Sequence, residues 1–123
     1  MKIYSFEKLQ VWQQSRALTK NIYLLTRNFP EEEKFGLISQ LRRASVSICS
    51  NLAEGSSRNS FKDKARFTEI AYGSLTEVLN QLIISSDLGF LTVQEYEKLR
   101  GEIEEISSML NGLRKNQLNH INN

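Results

Sequence analysis

Five polar side chains, Gln40, Arg43, Ser47, Asn51 and Glu54, recur at offsets of three and four in the stretch SQLRRASVSICSNLAEG. That spacing puts them on one face of a helix, beside a second face that carries Ile38, Leu41, Ile48 and Leu52. Such a row could be a catalytic set, a ligand site or a polar seam between packed helices. Catalysis would need a general base with a pKa near the working pH, and the row offers none. A seam asks only that interfacial polar groups be paired, and a line of them fixes register. The seam is the reading adopted, with Arg43 pairing a carboxylate such as Glu77 on the next helix or Glu54 of a neighbouring subunit.

Other chemistry is thinly represented. The chain has one histidine, His120, and the residue three before it is Gln117, so the inward Glu-x-x-His pairs of a di-iron bundle are excluded. No Cys/His cluster suits zinc, and neither GxxxxGK[ST] nor GxGxxG occurs. The single cysteine, Cys49, has no histidine near it in sequence and reads as a small residue packed between helices. Glu69, Glu77, Glu102, Glu104 and Glu105 read as solvated faces or interhelical ion pairs. No metal or cofactor is expected. The stretch RNSFKDKARF interleaves Arg58, Lys62, Lys64 and Arg66 with Phe61 and Phe67, a pattern suited to phosphates and stacked bases, although Phe67 fits the core better.

Composition bounds the scaffold. A chain of 123 residues is one domain, 1–123, with a modest core that oligomerisation would enlarge. One proline and six glycines disfavour a loop-rich β fold. One cysteine suits a reducing compartment. No apolar run approaches ~18 residues, and MKIYSFEKLQ lacks a signal-peptide core. A cytoplasmic protein without membrane contact is expected. A net charge of +2 does not by itself argue for nucleic acid.

Helical periodicity organises the whole chain. Leu9, Trp12, Leu18, Ile22, Leu25 and Phe29 mark a first helix over about 6–28, with Ser5 as N-cap and Pro30 as stop. The second covers about 31–54, with Glu31, Glu32 and Glu33 favouring its dipole and Gly55 ending it. The third covers about 60–88, from a Ser60 cap to Gly89, with Phe67, Ala71, Ser74, Val78 and Leu82 on one face and Gly73 allowing close approach. The fourth, about 93–115, opens on the capping box Thr92–Glu95 with Leu91 and Tyr96 as staple. Its seam of Tyr96, Leu99, Ile103, Ile106, Leu110 and Leu113 alternates threes and fours, and residues 116–123 are expected to fray. Three short connections predict an all-α, antiparallel up-down-up-down four-helix bundle.

That topology sorts charge. One end collects Lys2, Lys8, Arg58, Lys62, Lys64, Arg66, Arg114 and Lys115 against Glu7, Glu54 and Asp63, a net +5. The other collects Arg27, Lys34, Lys98 and Arg100 against Glu31, Glu32, Glu33, Asp87, Glu95 and Glu97, a net −2. The first end reads either as an anion site, with phosphate its natural partner, or as ordinary solvated surface.

Two resemblances follow. Arg114 and His120, with five residues between them, match in spacing the Arg-x(4–6)-His signature of helical RNases of the HEPN class. More extensively, LQVWQQS, IYLLTRNFPEEEKFGL, SQLRRASVSICSNLAEGSSR, RFTEIAYGSLTE and MLNGLRK, over roughly 6–115, resemble the four-helix bundle proteins encoded in intervening sequences of bacterial 23S ribosomal RNA genes. The matching signature positions are Trp12, Tyr23, Pro30, Gly36, Gln40, Arg42, Arg43, Ser47, Asn51, Glu54, Gly55, Arg58, Gly73, Ser74 and Glu77. The resemblance implies homopentameric rings and no known reaction. It also extends distantly to the accessory protein of diversity-generating retroelements, a more basic bundle that works with nucleic acid. The expected function is therefore a non-enzymatic oligomeric scaffold that holds RNA or DNA at its basic rim. The alternatives are an RNase using Arg114 and His120, and a module that binds only protein.

Overall fold

The computed structural model describes residues 1–121. Four helices run Gln10–Thr26 (α1), Leu37–Ser56 (α2), Phe61–Asp87 (α3) and Val93–Ile121 (α4), with 3-10 turns at Ser5–Lys8 and Glu31–Glu33 and no strand among the described residues. Their directions follow from the groups that meet. Between α1 and α2, Thr19 Oγ1 donates to the Ser45 carbonyl at 3.1 Å, whereas Arg42 Nε reaches Thr26 Oγ1 at 2.9 Å. Between α2 and α3, Gln40 faces Gln81, Ser47 faces Ser74, and Gly55 faces Phe67. Between α3 and α4, Thr68 meets Gln117, Glu69 meets Arg114, and Tyr72 meets Ser107. In each pair one number rises as the other falls, so neighbours are antiparallel. α1 also packs on α4, with Asn21 Nδ2 donating to Glu102 Oε1 at 2.8 Å. The result is the up-and-down bundle the spacing predicts.

All four helices contribute to one core. Leu18, Ile22, Leu41, Ile48, Val78, Leu82, Ile106 and Leu110 are all under 2% exposed. The seam on α4 is buried from Leu99 to Leu110, with Tyr96 and Leu113 packed at its margins. Several local signals behave as read. Ser60 Oγ accepts the Asp63 N–H at 3.1 Å. Thr92 and Glu95 exchange reciprocal bonds of 2.8 and 3.1 Å. Gly89, at φ +80°, ends α3 while Phe90 N–H returns to the Ser85 carbonyl at 3.0 Å.

Four boundaries differ from expectation. The first helix is interrupted: Leu9 is extended at φ −71°, ψ 122°, so Ser5–Lys8 is a separate turn and Ser5 caps nothing. That turn is held by Tyr4 N–H on Glu7 Oε2 at 2.7 Å and by Phe6 edge-on to Trp12 at 5.1 Å. The three glutamates form their own turn ahead of α2, and Glu33 Oε1 accepts the Leu37 N–H at 3.2 Å. Gly55 does not stop α2; it lies inside it, buried, where an added Cβ would sit 2.8 Å from Phe67 Cβ. Phe67 is only half-buried, with one side against that glycine. Gly73, expected to admit a neighbour, is exposed with nothing within 4 Å of a built Cβ.

The largest correction concerns the tail. Residues 116–121 are helical rather than frayed, because Gln117 is 8% exposed and its Oε1 accepts from Thr68 Oγ1 at 2.7 Å. A buried acceptor paired to a buried donor pins that turn to α3. The rest of the expected tail, 122–123, lies outside the described residues.

Candidate nucleic-acid interface and polar cleft

The basic end is assembled from four chain segments. The turn Ser5–Lys8 packs on α2 as well as α1. α2 ends beside the start of α3, where Lys64 Nζ donates to the Ser56 carbonyl at 3.1 Å. A cation there satisfies an orphan carbonyl of the helix terminus. The last turns of α4 reach the first turns of α3 through Gln117 on Thr68. Lys2, Lys8, Arg58, Lys62, Lys64, Arg66, Arg114 and Lys115 therefore sit at one end, as the topology required.

They are not equally available. Arg58 pairs with Glu54 at 3.2 Å and covers the Phe67 ring at 4.8 Å. Arg114 Nε is bonded to Glu69 at 2.9 Å, which adds a fourth carboxylate to this end. Lys2 lies 5.0 Å over Tyr4, and Lys64 is engaged as a cap. Lys8, Lys62, Arg66 and Lys115 are exposed and form no ion pair, side-chain hydrogen bond or ring contact with the described residues. Those four are the cations free to meet phosphate.

A second aromatic feature sits at the same end. Phe61 and His120 stack with centroids 4.7 Å apart and planes at 24°. His120 Nδ1 donates to the Asn116 carbonyl at 2.7 Å, which holds the imidazole in place. This pair, and Gln117 on Thr68, escaped sequence reading because they join residues 59 and 49 positions apart. Arg114 and His120 are not brought together. Six residues along a helix turn the side chain by about 240° and advance it about 9 Å. Arg114 accordingly faces Glu69 while His120 faces Phe61.

The polar row on α2 forms a seam with α3 at its centre. Ser47 Oγ and Ser74 Oγ share a hydrogen bond of 2.9 Å, and Asn51 Nδ2 bonds the Ser47 carbonyl and hydroxyl at 2.9 and 3.1 Å. Gln81 Nε2 reaches Gln40 Oε1 at 3.4 Å, a long contact, and the buried Gln81 Oε1 has no hydrogen-bond partner among the described residues. At its ends the row departs from expectation. Glu54 bonds Arg58 one turn on. Arg43 and Glu77 are exposed, line the same 400 Å³ cleft with Gln40, Ser47, Ser74 and Gln81, and make no ion pair. Among the described residues the ion pairs are Arg58–Glu54, Arg100–Glu104 and Arg114–Glu69.

Cys49 is half-buried against α1, its Sγ 3.6 Å from Thr19 Oγ1. Burial pushes the thiol pKa up, and the Thr19 hydrogen bond offsets this in part. A thiol held protonated is a poor nucleophile. Among the described residues no group of three or more His, Cys, Asp or Glu could hold a metal. No helix there is long and apolar enough to cross a membrane.

The sequence pattern described as 23S rRNA-intervening sequence protein matches residues 7–112. Among curated proteins none matches the chain. A crystal structure of a protein of unknown function from the S23 ribosomal protein family of Bacteroides thetaiotaomicron superposes with a TM-score of 0.77. The two are 24% identical, and the alignment covers 85% of this chain and 98% of that one. At that identity the likeness is one of fold.

Proposed function

The chain belongs to the 23S rRNA-intervening sequence protein family, and from that premise we propose that it is a non-enzymatic, self-assembling helical scaffold that holds RNA or DNA at its basic end. The observation that carries this reading is the set of exposed, unengaged cations at one end of the bundle, Lys8, Lys62, Arg66 and Lys115. Each can neutralise a phosphate and release its counterion, which gives sequence-tolerant, salt-sensitive binding. Assembly multiplies the effect, because linked weak sites raise effective concentration without new contacts.

The test replaces Lys62, Arg66 and Lys115 together by glutamine, leaving Lys64 in place because it caps α2. Affinity for a fluorescent 20-nucleotide RNA at 50 mM salt falls at least tenfold. The slope of log affinity against log salt shrinks by about 2, at ~0.7 per lost contact on a single strand. Unchanged affinity and slope would remove the basic end from the reading.

Self-assembly is supported by apolar groups that the single chain leaves uncovered. Phe35 is 89% exposed, and Val46, Ile70 and Ile84 are each about 41% exposed. Phe35 and Val46 line one surface cleft, and apolar side chains grouped on a surface mark interaction sites. The chain mass is 14.2 kDa, and the pentamer that the family resemblance implies gives five times that value by light scattering. A mass of one chain at micromolar concentration overturns the assembly.

A further inference from the structure

We propose that the Phe61–His120 stack is a base platform, and that the polynucleotide held at the basic end is therefore single-stranded. This inference rests on the phosphate-binding reading above and narrows it to one substrate class.

Three observations converge on it. The two rings lie parallel to within 24° at 4.7 Å, and both residues are exposed, Phe61 by 39%. A core residue would be covered, and a pair serving only to tie α4 to α3 duplicates what the buried Thr68–Gln117 bond already does three residues earlier on α4. The imidazole is oriented. A carbonyl can only accept, so the proton lies on Nδ1, directed at Asn116, and Nε2 is an acceptor that suits an N–H of a base. The end of the bundle that carries the stack is cationic: Lys62 follows Phe61 in sequence, and Arg66 on α3 and Lys115 on α4 are exposed at the same end. Phosphate cations around an aromatic face are the two parts of a single-strand site, where each base stacks whatever its identity. A duplex offers the cations its phosphates but keeps its base faces stacked inside, so it gains nothing from the rings.

The test compares a fluorescent 20-nucleotide oligouridylate with a 20-base-pair RNA duplex at one salt concentration. The protein binds the single strand more tightly. Phe61→Leu, which keeps an apolar side chain at the start of α3, weakens oligouridylate binding about 5- to 50-fold. It leaves duplex binding and the salt slope unchanged, since no charge is altered. Phe61→Trp restores single-strand affinity, and its indole emission is quenched on binding. His120→Ala, at an exposed position, gives a loss in the same direction and decides the matter if Phe61→Leu misfolds by circular dichroism. Equal binding of both probes with no response to either substitution overturns the platform and leaves the phosphate reading standing. Binding of neither probe by the unaltered protein overturns both.

Discussion

Replacing Leu82 by alanine is expected to destabilise the bundle by about 3 kcal/mol, within the ~2–5 kcal/mol range of buried Leu→Ala changes. Leu82 is 0% exposed and joins a core built from all four helices. Truncation removes its transfer free energy and leaves a void that helices packed at crystal-like density close only in part. For a chain of this length, thermal unfolding should shift down by roughly 10–15 °C. The control lies two residues on. Ile84 is 41% exposed, so Ile84→Ala should change the stability of a dissociated chain by less than about 0.5 kcal/mol. If the two substitutions had equal effects in a chain verified as monomeric, the packing of α3 described here would be wrong.

Gly55→Val is expected to be nearly as damaging, also about 3 kcal/mol, at the upper end of overpacking costs. Glycine inside a helix ordinarily costs stability relative to alanine, by about 1 kcal/mol. A side chain at Gly55 should therefore help, were local propensity the only effect. It is not, because a Cβ there would sit 2.8 Å from Phe67 Cβ, an atom fixed to the α3 backbone, and 3.7 Å from the Lys64 carbonyl. The helices would have to separate at the point where Lys64 closes α2. Gly73→Ala, with nothing within 4 Å, should have the opposite sign and raise stability by about 0.5–1 kcal/mol. Chemical denaturation of the two variants reads the contrast directly, and a stabilised Gly55→Val protein would show that α2 and α3 do not approach as described.

The two glycines mark the boundary between what was legible in the chain and what was not. Both sit in helical surroundings in sequence, and the reading gave Gly55 a terminus and Gly73 a close approach. The structure gives the close approach to Gly55, which is buried against a neighbour, and leaves Gly73 exposed in the middle of α3. The same holds for the polar row. Its common face followed from period alone, and at its centre Ser47 bonds Ser74 on α3. Its end members could not be assigned, and Arg43 stands beside Glu77 in an open cleft without pairing to it.

By itself the sequence determined the helix count, the alternating directions, most of the caps, the buried stripe of α4 and the family. These rest on local causes: a period of 3.6, a residue that caps three positions away, and loops too short to do anything but reverse the chain. Only the tertiary structure decided which side chains meet. That depends on the axial shift and rotation of one helix against another, which no local pattern encodes. A shift of one turn would have left the last turns of α4 without the Thr68–Gln117 bond, parted Phe61 from His120, and put Gly55 opposite some other residue than Phe67.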